Sequence, residues 1–391
     1  MKALRGERRA WLRTAAAAGA WCALPPGAHV LAADDEGEDH RAWQHGIDLL
    51  PVGDRLLLVW GSAGNPPRPN LGGAWPHDIY YDWLSVPDAA GDLAISPHVL
   101  VSRPEAQEPP SAAINSRGVI LVTAEDGEDD INQRAGLWNA QLQPLRPYPF
   151  TIRRGGHSGH AAALGEQFLV AYGEGWQDGG GFMNRGTGRD IHARILDGGG
   201  KPGPEINLAR GHRDGWPVVA ASDRNWLVLW QRYAGTGLYC ALIGAGGQTS
   251  APRLLAEGLP IRYAYDVAYA AALGRYVVAG NRGGQGFVAL LDRDGVMVHM
   301  QAGLPPLASE SRVLIGRVGV HSGGQDVAVY PVASSGIAVL QLGEASVELQ
   351  RVVAHPQRWD YMGTTGLFIG GTRVLFATLT TRGVRAFTIE L

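Results

Sequence analysis

The sequence predicts an all-β fold, a ring of four-stranded antiparallel blades. Three observations predict it. One apolar burst recurs seven times along the 391 residues. Beyond the N-terminal segment, no stretch keeps a 3.6-residue apolar period with helix caps at its ends. Glycine, at 55 residues, is about twice its usual share and follows no collagen period, as many tight turns between short strands require.

The bursts are RLLLVWG (55–61), GVILVTAE (118–125), QFLVAYGE (167–174), NWLVLWQR (225–232), RYVVAGNR (275–282), DVAVYPVA (326–333) and RVLFATLT (373–380). Each is short, rich in Val, Leu and aromatic residues, and bounded by Gly or polar residues, which is strand grammar. A shorter apolar run precedes most of them: PSAAIN (110–115), HAAALG (160–165), PVVAAS (217–222), DVAYAA (266–271) and GLFIGG (366–371). A polar gap and a third run follow: DIYYDWLS, AGLWNAQL, DIHARILD, GLYCALIG, GFVALLDR, GIAVLQLG and VRAFTIEL. Turns such as Asp292-Arg-Asp-Gly and poorer fourth runs such as HVLVS, EINLA and VELQR close the units.

Four strands in about 50 residues, repeated, define a β-propeller blade. Seven bursts predict seven blades, and the irregular sixth unit leaves six or eight compatible. The last unit ends after its third strand, so its fourth is expected from the start of the mature chain, within residues 38–48. The domain plan is therefore an export signal over 1–33, a segment over 34–44 that closes the ring, and the propeller over 45–391. The units resemble the divergent repeats of bacterial secreted β-propellers, a short strand followed by hLVxW and IxAxxLDxxG. That resemblance implies a fold and no activity. The signatures of WD40 repeats, sialidase boxes and quinone dehydrogenases are absent.

The N-terminus reads MKALRGERRAWLR, then AAAAGAWCAL, then AHVLAADDE: a basic part, a short apolar part and small residues for cleavage near Ala32. Arg8-Arg9-Ala10-Trp11-Leu12-Arg13 resembles the twin-arginine export signal, with a general secretory signal as the alternative. The apolar part is too short to span a membrane. A periplasmic or secreted location is expected. Cys22 lies in the leader, which leaves Cys240, inside LYCALI, as a buried small hydrophobe. The formal net charge is −3 and no arginine cluster stands above the acidic background, so a nucleic-acid partner is not expected.

In such a ring, the loops from second to third strand and the loops leading into each blade open on one face. The second-to-third loops are long in units 1–3 and short in units 4–7, and long loops tend to be functional. The long loops supply Trp75, His77, Asp78, Glu174, Trp176, Arg185 and Arg189. The axial loops supply His160, Asp214, Trp216, Tyr265, Asp266, Glu310, Arg312 and Asp360. Acids, arginines and aromatics together suit a carbohydrate. Aromatic faces stack on sugars, and charged groups bind hydroxyls or carboxylates. Glu174, Asp214, Asp266 and Glu310 are the candidate carboxylates for a glycoside hydrolase or polysaccharide lyase. The alternatives are a protein-binding scaffold and a metal-dependent enzyme using His157, His160 and His212. The acidic loop from Asp126 to Asn132 is a candidate calcium site, although its order departs from the common calcium loop.

Overall fold

The computed structural model describes residues 43–68, 77–85, 89–127, 131–174, 190–232, 236–260, 264–319, 324–333, 335–359 and 363–391. Among the described residues there are 28 strands and no helix. They form seven separate four-stranded antiparallel sheets. This is the seven-bladed propeller.

Blade 1 contains β1 (Gln44–Val52), β2 (Arg55–Ser62), β3 (Asp78–Ser85) and, beyond the short β4 (Gly91–Leu93), β5 (His98–Val101). Blade 2 runs β6 (Gln107–Ile114), β7 (Ile120–Asp126), β8 (Asn132–Trp138) and β9 (Pro144–Arg154). Blade 3 runs β10 (Gly156–Leu164), β11 (Gln167–Glu174), β12 (Ile191–Leu196) and β13 (Pro202–Ala209). Blade 4 runs β14 (Asp214–Ala221), β15 (Asn225–Arg232), β16 (Gly237–Gly244) and β17 (Arg253–Ala256). Blade 5 runs β18 (Tyr265–Ala270), β19 (Arg275–Arg282), β20 (Gln285–Leu291) and β21 (Met297–Leu304). Blade 6 runs β22 (Leu314–Val318), β23 (Gln325–Pro331), β24 (Ser335–Leu342) and β25 (Val347–Arg358). Blade 7 has β26 (Thr364–Phe368), β27 (Arg373–Thr380) and β28 (Gly383–Glu390).

The fourth strand of blade 7 is β4, which pairs with β28 through Leu93 opposite Ala386, Asp92 opposite Phe387 and Gly91 opposite Thr388. Closure by residues 38–48 is thereby corrected. From Gln44 onward the chain is already paired to β2 as the inner strand of blade 1. The β3–β5 connection reaches the edge of blade 7 instead. Gly91 N–H donates to Thr388 Oγ1 at 3.0 Å, and Arg385 meets Asp92 at 3.4 Å.

The core is not one cluster but seven, each lying between two neighbouring blades. Leu56, Leu58 and Trp60 of β2 pack with Leu375, Ala377 and Leu379 of blade 7. The alternate residues Leu57 and Val59 pack with Ala112, Ile120 and Val122 of blade 2. A second strand is thus buried on both faces, which is why its sequence is a continuous apolar run rather than an alternation. Trp226, Trp230 and Cys240 are core residues, as the sequence predicts, and burial pushes the Cys240 thiol up to about 12. Fourth strands lie on the rim and carry most of the exposed large apolar residues, such as Val99, Leu254, Val298 and Leu349.

Candidate functional site

The innermost strands of blades 1–4 share one local irregularity. Gln44 faces Ser62 and Ile47 faces Trp60, so the inner strand carries one extra residue there. The same step occurs between Glu108 and Ser111, His157 and His160, and Gly215 and Val218. A bulge of this kind bends the strand and re-aims its side chains. Gly46, Ser158 and Trp216 lie within these bulges with φ of 79°, 51° and 51°. Glu310 (φ 53°) and Gly363 (φ 122°) occupy comparable places before β22 and β26. All five residues line one axial pocket of about 120 Å³. Left-handed backbone is a true outlier for a residue as bulky as tryptophan.

His45, Ser111, His160, Tyr265, Asp266 and Arg312 also line this pocket. It therefore gathers six of the sequence-nominated residues: His160, Trp216, Tyr265, Asp266, Glu310 and Arg312. Two charged systems organise its walls. In the first, Arg312 Nη1 donates to Asp266 Oδ1 at 3.1 Å and Nη2 to Asp48 Oδ1 at 3.0 Å. Asp266 also accepts Val313 N–H at 2.8 Å, and Asp48 accepts Ser111 Oγ–H and Ala112 N–H. Burial raises the Asp266 carboxyl despite Arg312 and these N–H donors. Burial opposes the Arg312 charge, but Asp48 and Asp266 outweigh it and raise its pKa.

In the second system, His45 lies between Glu108 (3.7 Å) and Glu310 (3.6 Å), and Glu108 also contacts the buried His77. Burial disfavours a charge on His45, yet Glu310 and Glu108 prevail and hold it up at about 10. Burial would raise Glu108, but His77 and His45 bring it down to about 2. Nearby Glu125 is pushed up to about 8 by burial, against the Ser158 N–H it accepts at 2.6 Å. His160 differs from these groups. Burial, helped by Arg312, holds its pKa well below the ordinary value, and its Nδ1 is buried with no hydrogen-bond partner. Tyr265 Oη–H donates to the Trp216 carbonyl at 2.5 Å, which ties blade 5 to blade 4.

The other nominated residues lie elsewhere. Asp214 is buried in a two-pronged pair with Arg232 (2.8 and 3.0 Å), whose guanidinium stacks on Tyr239 at 4.1 Å. His212 and Arg232 line a wider groove of about 510 Å³ between blades 3 and 4. Glu174 ends β11 beside Asp190 and His192. Asp78 opens β3. His157 contacts Ser158 Oγ at 2.7 Å and Glu125 at 3.6 Å. Among the described residues, Glu174, Asp190 and His192 are the one group of three donors close enough to share an ion, and His157, His160 and His212 form no such group. Asp126, at the start of the acidic loop, meets Arg103 at 3.0 Å and Tyr148 Oη at 3.1 Å. Trp75, Trp176, Arg185, Arg189, Asp360 and the middle of the acidic loop lie outside the described residues.

Asp48, His45 and Glu108 are site residues that the sequence reading missed. A signal existed for two of them. Asp48 is a lone acid in the apolar run IDLLPV, and Glu108 stands directly before a Pro-Pro pair. A buried acid of this kind needs a partner.

No protein-family model and no curated protein matches the chain. Solved structures match its fold. An α-L-arabinanase of Penicillium chrysogenum complexed with arabinobiose aligns with TM-score 0.50 and 10% identity, over 89% of this chain and 93% of that one. A PL25 ulvan lyase, a polysaccharide lyase, aligns with TM-score 0.51 and 11% identity, over 89% and 95%. A chain of the mitotic checkpoint complex aligns with TM-score 0.53 and 9% identity, over 89% and 90%. At such identities the likeness establishes the propeller and nothing finer, since one fold hosts many functions. Among the described residues no helix is long and apolar enough to cross a membrane.

Proposed function

We propose that this is an exported propeller that takes one end of a carbohydrate into its axial pocket. The observation that carries the reading is the convergence of strained backbone on that pocket. Ser158, Trp216 and Glu310 are three of only five non-glycine residues with positive φ among the described residues, and all three line it. Such strain costs about 1–3 kcal/mol per residue and clusters at ligand clamps. The pocket offers aromatic surface in Trp216 and Tyr265, a neutral acceptor in His160 and the acid Glu310. That set suits the apolar faces and hydroxyls of a sugar. Its volume is well below the ~300–1,000 Å³ of pockets that engulf a whole small molecule, so a terminal unit fits the reading better than an internal stretch of polymer. The arabinanase and the ulvan lyase lend support as sugar-acting proteins on this fold.

If the pocket is catalytic, hydrolysis or elimination of a glycan is the expected class. A second reading, a non-catalytic binding or scaffolding propeller, is favoured by a specific observation. Asp266, Asp48 and Asp214 are all tied to arginines, as carboxylates that hold a ring together would be. The test is mass spectrometry of glycan mixtures incubated with the mature protein and with His160→Ala. Fragments carrying an added water indicate a hydrolase, and fragments lighter by a water a lyase. Binding without release, lost in the variant, indicates a glycan binder. Neither binding nor release from any mixture would overturn the carbohydrate reading. Sequencing the N-terminus of exported protein tests the leader, with cleavage expected near Ala32.

A further inference from the structure

The β11–β12 end of blade 3 carries a group of side chains that the axial reading leaves unused. Glu174 is the last residue of β11, Asp190 immediately precedes β12, and His192 is its second residue. The two carboxylates flank residues 175–189 in the sequence, and Glu174 N–H donates to the Asp190 carbonyl at 3.1 Å, which fixes the two ends against each other. One donor atom from each of the three side chains lies within 4.8 Å of the other two.

His192 supplies the observation that separates this group from an ordinary acidic cluster. It is 4% exposed, and its Nε2 is buried with no hydrogen-bond partner. That atom points at Glu174, whose Oε1 stands 3.7 Å away. The other ring nitrogen, Nδ1, faces Glu205 Oε1 at 3.4 Å and Asn207 Nδ2 at 3.4 Å. Glu205 is in turn held by Tyr172 Oη–H at 3.1 Å and Arg153 at 3.0 Å. A carboxylate behind one imidazole nitrogen, with the other nitrogen left open, is the usual outer support of a metal-binding histidine. Asp190 Oδ1 accepts Gly211 N–H at 2.7 Å, which orients that carboxylate as well. Arg153 Nη2 stands 3.9 Å from Glu174 Oε1.

From this we infer that Glu174, Asp190 and His192 form a divalent-metal site of the zinc type, independent of the axial pocket and of any carbohydrate. One imidazole with two carboxylates suits Zn²⁺ and is wrong for Ca²⁺, which takes oxygen ligands alone. Ligands about 2.0–2.2 Å from Zn²⁺ stand about 3.4 Å apart. His192 Nε2 and Glu174 Oε1, at 3.7 Å, already stand close to that spacing, and no donor pair of the group is more than 4.8 Å apart. The ion would tie the two ends of the longest second-to-third connection in the ring.

The experiment is titration of untagged, EDTA-stripped mature protein with Zn²⁺, followed by calorimetry and elemental analysis after dialysis. Ca²⁺ serves as the comparison ion. One Zn²⁺ per chain is expected, with affinity at least tenfold weaker in Glu174→Gln and in His192→Gln and unchanged in His212→Gln. Glu174 is a quarter exposed, so its variant should fold even if the His192 change does not; far-UV circular dichroism checks both. Three results would each overturn the site. These are no stoichiometric Zn²⁺ in the wild type, equal affinity in folded Glu174→Gln, or Ca²⁺ bound as tightly as Zn²⁺.

Discussion

Arg312 is a single side chain that joins three blades, and its removal gives a sharp test of how the ring is held. Its two Nη atoms engage Asp266 of blade 5 and Asp48 of blade 1, and the residue itself leads into blade 6. Arg312→Leu keeps most of the volume and leaves both carboxylates without their cation, with side-chain exposures of 3% for Asp266 and 11% for Asp48. Breaking a buried pair in this way costs about 3–5 kcal/mol. An unfolding entropy of about 2.1 cal/mol/K per residue over roughly 350 residues makes each kcal/mol worth about 1.4 °C. The melting temperature should therefore fall by about 4–7 °C at pH 7. The deficit should also depend on pH. Burial already raises Asp266, and loss of Arg312 raises it further. A carboxyl with a folded-state pKa above its unfolded value costs stability at higher pH and is relieved as pH falls through the folded value. The gap to wild type should thus narrow toward pH 4.5 in calorimetric or fluorescence melts. A drop below 2 °C at pH 7, or a deficit independent of pH, would refute the view that this triad binds the ring.

Other predictions address the bulges, a buried amide and the carboxylate beside the pocket. Gly46→Ala meets both a left-handed φ of 79° and Pro109 Cβ at 2.4 Å, and should cost about 2–5 kcal/mol in urea unfolding. Gly53→Ala has φ 62° but nothing within 4 Å, and should cost only about 1–2 kcal/mol. Asn281→Ala strips both the N–H and the carbonyl of Leu307 of their buried partner and should cost about 2–4 kcal/mol by the same assay. Glu125, pushed up to about 8, makes the folded state lose stability as pH rises from about 4.5 through 8. Glu125→Gln should therefore gain on wild type over that interval, and parallel melting curves from pH 5 to 9 would contradict the assignment.

Much of the fold was legible because second strands are buried twice over. NWLVLWQR sends Leu227 and Leu229 to one neighbouring blade and Trp226, Val228 and Trp230 to the other, so the whole run must be apolar. Strands without that demand were harder to see. LIGRV of β22 is too short and too polar to stand out, and GDL of β4 owes its pairing to a partner nearly 300 residues away. The axial residues were partly legible, because acids, histidines and aromatics just before an inner strand fall near the axis in any such ring. Their pairing was not. That Arg312 reaches Asp48, or that His45 sits between two glutamates, depends on which blades the closed ring brings face to face. No local pattern encodes that.

The closing strand has a consequence for how the chain matures. Residues 91–93 are made early, within blade 1, yet their partner β28 spans residues 383–390. The last seam cannot form until the third strand of the seventh blade has been synthesised. Until then blade 7 lacks its outer strand and blade 1 holds a segment in reserve. Contacts of such long sequence separation form slowly, and the open ring presents two unsealed sheet edges while it waits. The molecule becomes one piece only when its first and last blades meet.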